Sequence, residues 1–282
     1  AATWLRPLSP DEDDDRRACG APTGVMAASR ARLSDADLER ILAVADEADS
    51  VELKLTVDEA HRWQTLSALN LDPLDAQMRQ VFFFDTPGLA LDKAGVVARA
   101  RRIQGKGEDS VIKLRPVVPG DMPDELRRSN DFVIEVDAMP SGFVCSGSLK
   151  GKLGVGKVLP AVAGERPLRK LFSKAQRAFF AEHAPDGVEL DDLVPLGPIN
   201  VLKIKFSPKG FGRPLAVELW LYPDGSRILE LSTRCSTREP FQVAAEARGY
   251  LARRGVEIGG GQTTKTRAAL KFFSKELAAA AR

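Results

Sequence analysis

The chain has 282 residues, with 44% hydrophobic and 28% charged side chains and a formal net charge of +2. This balance suits a globular fold with a sizeable core. It lacks the strong overall positive field that would favour nucleic acid, so any basic site must be local.

Residues 1–25 combine Pro7, Pro10, the acidic run 11–15 and Pro22, the composition of a loop or a disordered extension. Met26 would make a native start, and no charged-then-apolar leader precedes it, so one folded domain is expected over 26–282. Ser34 followed by Leu38, Ile41, Leu42 and Val44 predicts a capped amphipathic helix. A strand is expected over 50–57, then a helix capped by Asp58, with Trp63, Leu66 and Leu69 packing on the outside of a sheet.

Strands are expected next at 80–84, 95–102, 110–116, 132–138 and 143–150, separated by turns such as Lys106-Gly107-Glu108-Asp109. The pattern then turns helical near 160–185, where Leu168, Leu171, Phe172, Ala175, Phe179 and Phe180 form one apolar face ending before Pro185. Strands resume at 199–206, 215–222 and 227–235, the last two joined by the turn sequence Tyr222-Pro-Asp-Gly-Ser. Helices are expected over 241–254 and 266–281. Strands with inserted rather than alternating helices disfavour a doubly wound α/β sheet. They predict a β-rich α+β fold, a closed antiparallel β-barrel with peripheral helices.

Within these strands charged residues recur at every second position: Glu52 and Lys54, Arg99 and Arg101, Lys113 and Arg115, Glu135 and Asp137, Lys203 and Lys205. Side chains at i and i+2 share one face of a strand. A sheet that turns charges to one face and Val, Leu and Ile to the other is either a solvated surface or the wall of a water-filled tunnel. Charges enclosed in a barrel would need water, metal or ligand beside them.

Glu52-Leu53-Lys54 resembles the second half of the E-x-E-x-K signature of the CYTH proteins, the triphosphate tunnel metalloenzymes. Phe84-Asp85-Thr86-Pro87, followed by Leu89, Leu91, Gly95 and the Arg99/Arg101 pair, is similar to that family's second signature. Lys113 in Val-Ile-Lys-Leu-Arg, Glu135 in Ile-Glu-Val-Asp and the late strand ending Ile228-Leu229-Glu230-Leu231 follow in the same order. The resemblance spans roughly Ser50 to Leu251 and implies a barrel that holds a triphosphate.

A triphosphate needs cations from several directions and a divalent metal bridging its oxygens. The resemblance implies Lys54, Arg99, Arg101 and Lys113 as substrate contacts, and Arg115, Lys203 and Lys205 could add to the grip. Mg²⁺ or Mn²⁺ would require hard oxygen ligands, for which Glu52, Glu135, Asp137, Glu218 and Glu230 are the candidates. Glu230 and Glu52 are the candidate catalytic carboxylates, Glu230 as the group that positions an attacking water. One departure stands out: Ser50 occupies the position of the family's first motif glutamate, so a metal ligand is missing or has moved.

Other chemistry has little support. Cys19, Cys145 and Cys235 form no C-x-x-C pair, which argues against a disulfide scaffold or a cysteine zinc site and for a reducing cytoplasm. No apolar run approaches the roughly 18 residues of a membrane-spanning helix. His61 and His183 fall on expected outer helices, and Cys145 reads as a packed thiol. Gly151-Lys-Leu-Gly-Val-Gly-Lys is followed by Val158, so it fails the phosphate-loop pattern and reads as a connection. The resemblance implies a metal-dependent enzyme that hydrolyses a phosphoanhydride in inorganic, nucleoside or thiamine triphosphate. An adenylate cyclase making cyclic AMP from ATP and a non-catalytic polyphosphate- or nucleotide-binding module remain open, as does a structural barrel with a merely solvated face.

Overall fold

A computed structural model describes residues 46–140, 142–258, 265, 269–270, 272–273 and 275–276. The expected extension over 1–25, the helix after Ser34 and most of the last expected helix lie outside the described residues; those described at 265 and beyond are helical.

Nine strands close into one barrel: β1 (Ser50–Val57), β2 (Gln77–Asp85), β3 (Val96–Ile103), β4 (Glu108–Leu114), β5 (Phe132–Met139), β6 (Gly142–Leu153), β7 (Val194–Phe206), β8 (Leu215–Leu221) and β9 (Arg227–Cys235). Their order around the barrel is β1-β5-β6-β4-β3-β2-β7-β8-β9, with β9 returning to β1. Neighbours pair antiparallel except β1 and β5, which run parallel from Ser50↔Glu135 to Leu53↔Ala138. The barrel is therefore mixed rather than wholly antiparallel as expected. Closure leaves no free sheet edge to template aggregation.

Alternation assigns the two faces. Val51, Ala98, Ala100, Ile112, Ile134, Val136, Leu149, Leu229 and Leu231 point outward, where they are buried in one large apolar cluster. The hydrophobic core thus lies outside the barrel, between its wall and the surrounding helices. On one side it is covered by the helix Lys174–His183, which presents Phe179 and Phe180. Gln176 fixes this helix: it takes part in a capping box with Ser173, and its amide nitrogen donates to the Leu149 carbonyl at 3.0 Å. A Cβ on Gly151 would come within 2.5 Å of Gln176 Oε1, so the glycine lets the helix approach the strand.

Two helical expectations are corrected. The apolar face after Leu168 is split into a 3-10 turn, Leu168–Leu171, and the helix that Ser173 caps. The helix after β1 opens with the 3-10 turn Glu59–His61 before Arg62–Ala68; Asp58 flanks that turn without a side-chain capping bond. Leu66 and Leu69 pack inward, whereas Trp63 is 68% exposed.

The Phe-Asp-Thr-Pro motif has a structural task. Asp85 ends β2 buried, and its carboxylate accepts from the backbone N–H groups of Thr86 at 2.7 Å, Leu91 at 2.9 Å and Asp92 at 3.0 Å. It ties the strand to the short helix Ala90–Lys93, after which the chain enters β3 at Gly95. Gly95 adopts φ +72°, and a Cβ there would stand 2.5 Å from the Arg115 carbonyl oxygen. Its own carbonyl accepts from Arg115 N–H at 2.8 Å, which anchors the backbone that carries Arg115.

Candidate functional site

The inner faces of the strands enclose a cavity of about 760 Å³. Its lining holds ten cationic side chains against six carboxylates among the described residues. Glu52 and Lys54 come from β1, Arg99 and Arg101 from β3, Lys113 from β4, with Arg115 just beyond it, and Glu135 and Asp137 from β5. Lys203, Glu218 and Glu230 complete the expected set from β7, β8 and β9. Lys205 does not join them: it is exposed near the end of β7 and does not line the cavity.

Comparison of this barrel with solved structures finds an adenylyl cyclase candidate from Hippeastrum with a dominant triphosphatase activity. The two share 18% identity and a TM-score of 0.58, over 78% of this chain and 94% of that one. An adenylate cyclase candidate from Bacillus halodurans aligns over 78% of this chain and 97% of its own, with a TM-score of 0.54 and 13% identity. The fold is that of the triphosphate tunnel proteins. No family model matches the sequence, and neither does any curated protein.

The tunnel is electrically divided. Asp137 is the hub of one cluster: it receives Lys54 at 2.5 Å, Arg115 at 3.0 Å and Lys113 at 3.9 Å. Burial raises its pKa, but these cations outweigh the effect and hold it below the usual carboxylate range. Burial likewise works against the Lys54 ammonium, yet Asp137, and Glu52 at 3.2 Å, leave its pKa raised. Glu135 is held by Arg234, with Lys150 at 4.0 Å.

A second cluster sits across β7, β8 and β9. Glu218 and Glu230 are register partners on neighbouring strands. Lys203 reaches Glu218 at 2.5 Å, Trp220 Nε1 donates to the same carboxylate at 3.0 Å, and the Lys265 ammonium bridges Glu218 and Glu230. Burial is the largest influence on both carboxylates. Lys265 and Lys203 overcome it at Glu218, which lies well below its usual value, whereas Glu230 remains raised.

The tunnel face of the β2–β3–β4 wall carries more cations than carboxylates. Arg101 is taken by Asp109 through two bonds of 2.8 and 2.6 Å. Arg99, two residues earlier, has its Nε buried with no hydrogen-bond partner among the described residues, and so does Arg79 on β2. Burial and the neighbouring Arg101 push the Arg99 guanidinium down from its ordinary value, but an arginine side chain stays charged in proteins. Lys113 is lowered to about 8, chiefly by burial; Asp137 offsets this only in part, and Lys54 and Arg115 add to it.

For Mg²⁺ or Mn²⁺ the donors fit an ion that keeps water, or substrate oxygens where substrate is bound, in the rest of its shell. No three His, Cys, Asp or Glu side chains converge among the described residues, so the protein alone builds no cage. Glu52, Glu218 and Glu230 do offer hard carboxylate oxygens to the cavity, and Mg²⁺ is commonly held by one or two carboxylates together with substrate phosphates and water. Asp137 is less suited, being engaged by three cations, whereas Glu135 and Glu218 are engaged by two each.

Arg79, Lys150, Arg234 and Lys265 also line the tunnel and were not among the expected contacts. Arg79 alternates with Val81 and Phe83, a signal the sequence holds once β2 is seen to begin at Gln77 rather than at 80. Lys150 and Arg234 lie in phase with Ser148 and Ser232. Lys265 has no local signal at all. Ala269 and Leu270, just after it, are buried in one apolar cluster with Val81, Phe83, Val201 and Trp220, which line the tunnel.

The remaining sequence readings concern residues off the tunnel. His61 meets Glu257 at 3.3 Å, and His183 Nδ1 meets the Phe179 carbonyl at 2.9 Å. Cys145 is buried, which pushes its thiol up to about 11. In the glycine-rich connection the Lys157 and Val158 N–H groups donate to Glu108 at 2.8 and 2.9 Å, so a carboxylate of this chain takes the place an anion would want. Among the described residues no helix is long and apolar enough to cross a membrane.

Proposed function

We propose that this chain binds a triphosphate-bearing substrate in the tunnel and hydrolyses one of its phosphoanhydride bonds. The observation that carries the reading is Arg99, a guanidinium inside a closed barrel whose Nε has no partner among the described residues, on a wall it shares with Arg79 and Lys113. A buried guanidinium N–H without a hydrogen-bond acceptor is costly. A polyanion laid along this wall would supply the missing partner, and arginine can grip a phosphoryl group with two parallel bonds.

On this reading Arg79, Arg99 and Lys113 hold the phosphoryl oxygens and neutralise the charge that develops on them during transfer. Water attacks the terminal phosphorus, the bond from that phosphorus to the bridging oxygen breaks, and the released diphosphate leaves with the electron pair. Glu230, raised by burial, is the carboxylate suited to orient that water and take its proton. Glu52, Glu218 and Glu230 would share a divalent ion with the substrate, and that ion would further neutralise the phosphate oxygens.

The neighbours described as adenylate cyclase candidates, one with a dominant triphosphatase activity, support a triphosphate substrate. Purified protein should be incubated with inorganic triphosphate, ATP and thiamine triphosphate, each with Mg²⁺ or Mn²⁺. Phosphate release is the expected result. Cyclic AMP with pyrophosphate would replace hydrolysis by cyclisation, and saturable binding without product would leave a binding module. Absence of both binding and turnover with all three would overturn the reading.

A further inference from the structure

We infer that Lys265 is a tethered cation that occupies the space between Glu218 and Glu230 and competes there with a divalent metal ion. The inference goes beyond the triphosphate reading and does not depend on it, since it concerns charges the protein already contains.

Glu218 and Glu230 stand directly opposite each other on β8 and β9, both turned into the tunnel. Like charges in that position repel, and buried carboxylates side by side cannot both stay ionised without a cation between them. That cation is the Lys265 ammonium, which contacts Glu218 Oε2 and lies 2.6 Å from Glu230 Oε1. Burial opposes its charge, but the two carboxylates leave its pKa raised.

The placement is held from several sides. The ammonium lies 4.9 Å from the centroid of the Trp220 ring, within cation–π range. Tyr222 donates its hydroxyl to the Lys265 carbonyl at 3.1 Å, and Ala269 and Leu270 are buried against the tunnel wall. Two facing carboxylates bridged by one ammonium, with Lys203 on the other oxygen of Glu218, are also hard oxygen donors of the kind Mg²⁺ and Mn²⁺ select. One position cannot hold both cations. Metal entry therefore requires the Lys265 side chain to withdraw, and Lys265 sets how tightly the tunnel binds metal.

The test measures Mn²⁺ binding by electron paramagnetic resonance without any phosphate present, so its outcome is separate from that of the substrate assays. Lys265→Met keeps the side-chain length and removes the charge. It should bind one Mn²⁺ at least tenfold more tightly than wild type, Lys265→Arg should not, and adding Glu218→Gln to Lys265→Met should abolish the gain. Unchanged affinity in Lys265→Met, or a gain that survives Glu218→Gln, would overturn the inference. A measurement on the unaltered protein covers the case in which the variants fold poorly. Amine labelling read by mass spectrometry should show Lys265 becoming more reactive as Mn²⁺ is added, and constant reactivity at saturating Mn²⁺ would also overturn it.

Discussion

The Lys54 ammonium stands 2.5 Å from Asp137 Oδ1, although 83 residues separate them in the chain. The contact exists because β1 and β5 run parallel, with Glu52 opposite Asp137. Asp137 also takes Arg115 and Lys113, so one carboxylate compensates three cations.

Asp137→Asn should therefore destabilise the empty protein, by about 3 kcal/mol, the usual scale for breaking a buried ion pair. It should also sharpen the appetite for anions. In thermal melts the variant should lose stability without ligand, and added triphosphate should raise its melting temperature by more than it raises that of wild type. An equal rise in both would show that these cations do not meet the ligand.

Arg99→Ala should weaken triphosphate binding about tenfold or more, equivalent to roughly 1.5–3 kcal/mol for a lost charge-assisted contact. Stability should hold or improve, because the variant removes a buried Nε that has no partner among the described residues. Lys205→Ala, at an exposed position off the cavity wall, should bind as wild type. Titration calorimetry at two salt concentrations checks both, and wild-type affinity in Arg99→Ala would remove it from the site.

Lys113 gives a pH signature. Its folded value of about 8 lies below the ordinary 10.5, so between those limits the unfolded chain binds more protons than the folded one. Its contribution to stability accordingly rises with pH across that window. Anion binding has the opposite sign, because only the protonated amine attracts phosphate. Triphosphate binding near pH 8.5 should take up protons, seen as a dependence of the calorimetric heat on buffer ionisation enthalpy. Lys113→Met should remove most of that uptake; equal uptake in both proteins would contradict the assignment.

The register of β1 can be tested at two positions. Ser50 is in phase with Glu52 and Lys54 and pairs with Glu135, whereas Leu53 packs against the apolar core. Ser50→Glu adds a hard oxygen donor beside Glu135 and should lower the Mn²⁺ concentration needed for half-saturation. Leu53→Glu buries a charge outside the barrel and should cost about 2 kcal/mol or more. Chemical denaturation would decide it: tolerance of Leu53→Glu with unfolding of Ser50→Glu would place the strand one residue out of register.

Two-residue periodicity determined much of this protein in advance. Charges in phase at Glu52 and Lys54, Arg99 and Arg101, and Glu135 and Asp137 fixed one polar and one apolar face per strand, because alternation is a local property of extended backbone. The strands and a polar face on each followed, whereas the family resemblance, not periodicity, implied that this face turns inward; Arg79 was lost only through a boundary placed at 80 rather than Gln77. Tertiary structure decided what periodicity cannot encode. The parallel pairing of β1 with β5 gives Asp137 its three cations, and the ends of β4 and β7 decide that Arg115 enters the tunnel while Lys205 stays outside. Lys265 shows the limit most clearly: it lies 47 residues from Glu218 and has no local pattern that predicts the contact. Its place depends on Ala269 and Leu270 burying themselves on the tunnel wall, and long-range packing of that kind is settled only when the barrel has closed.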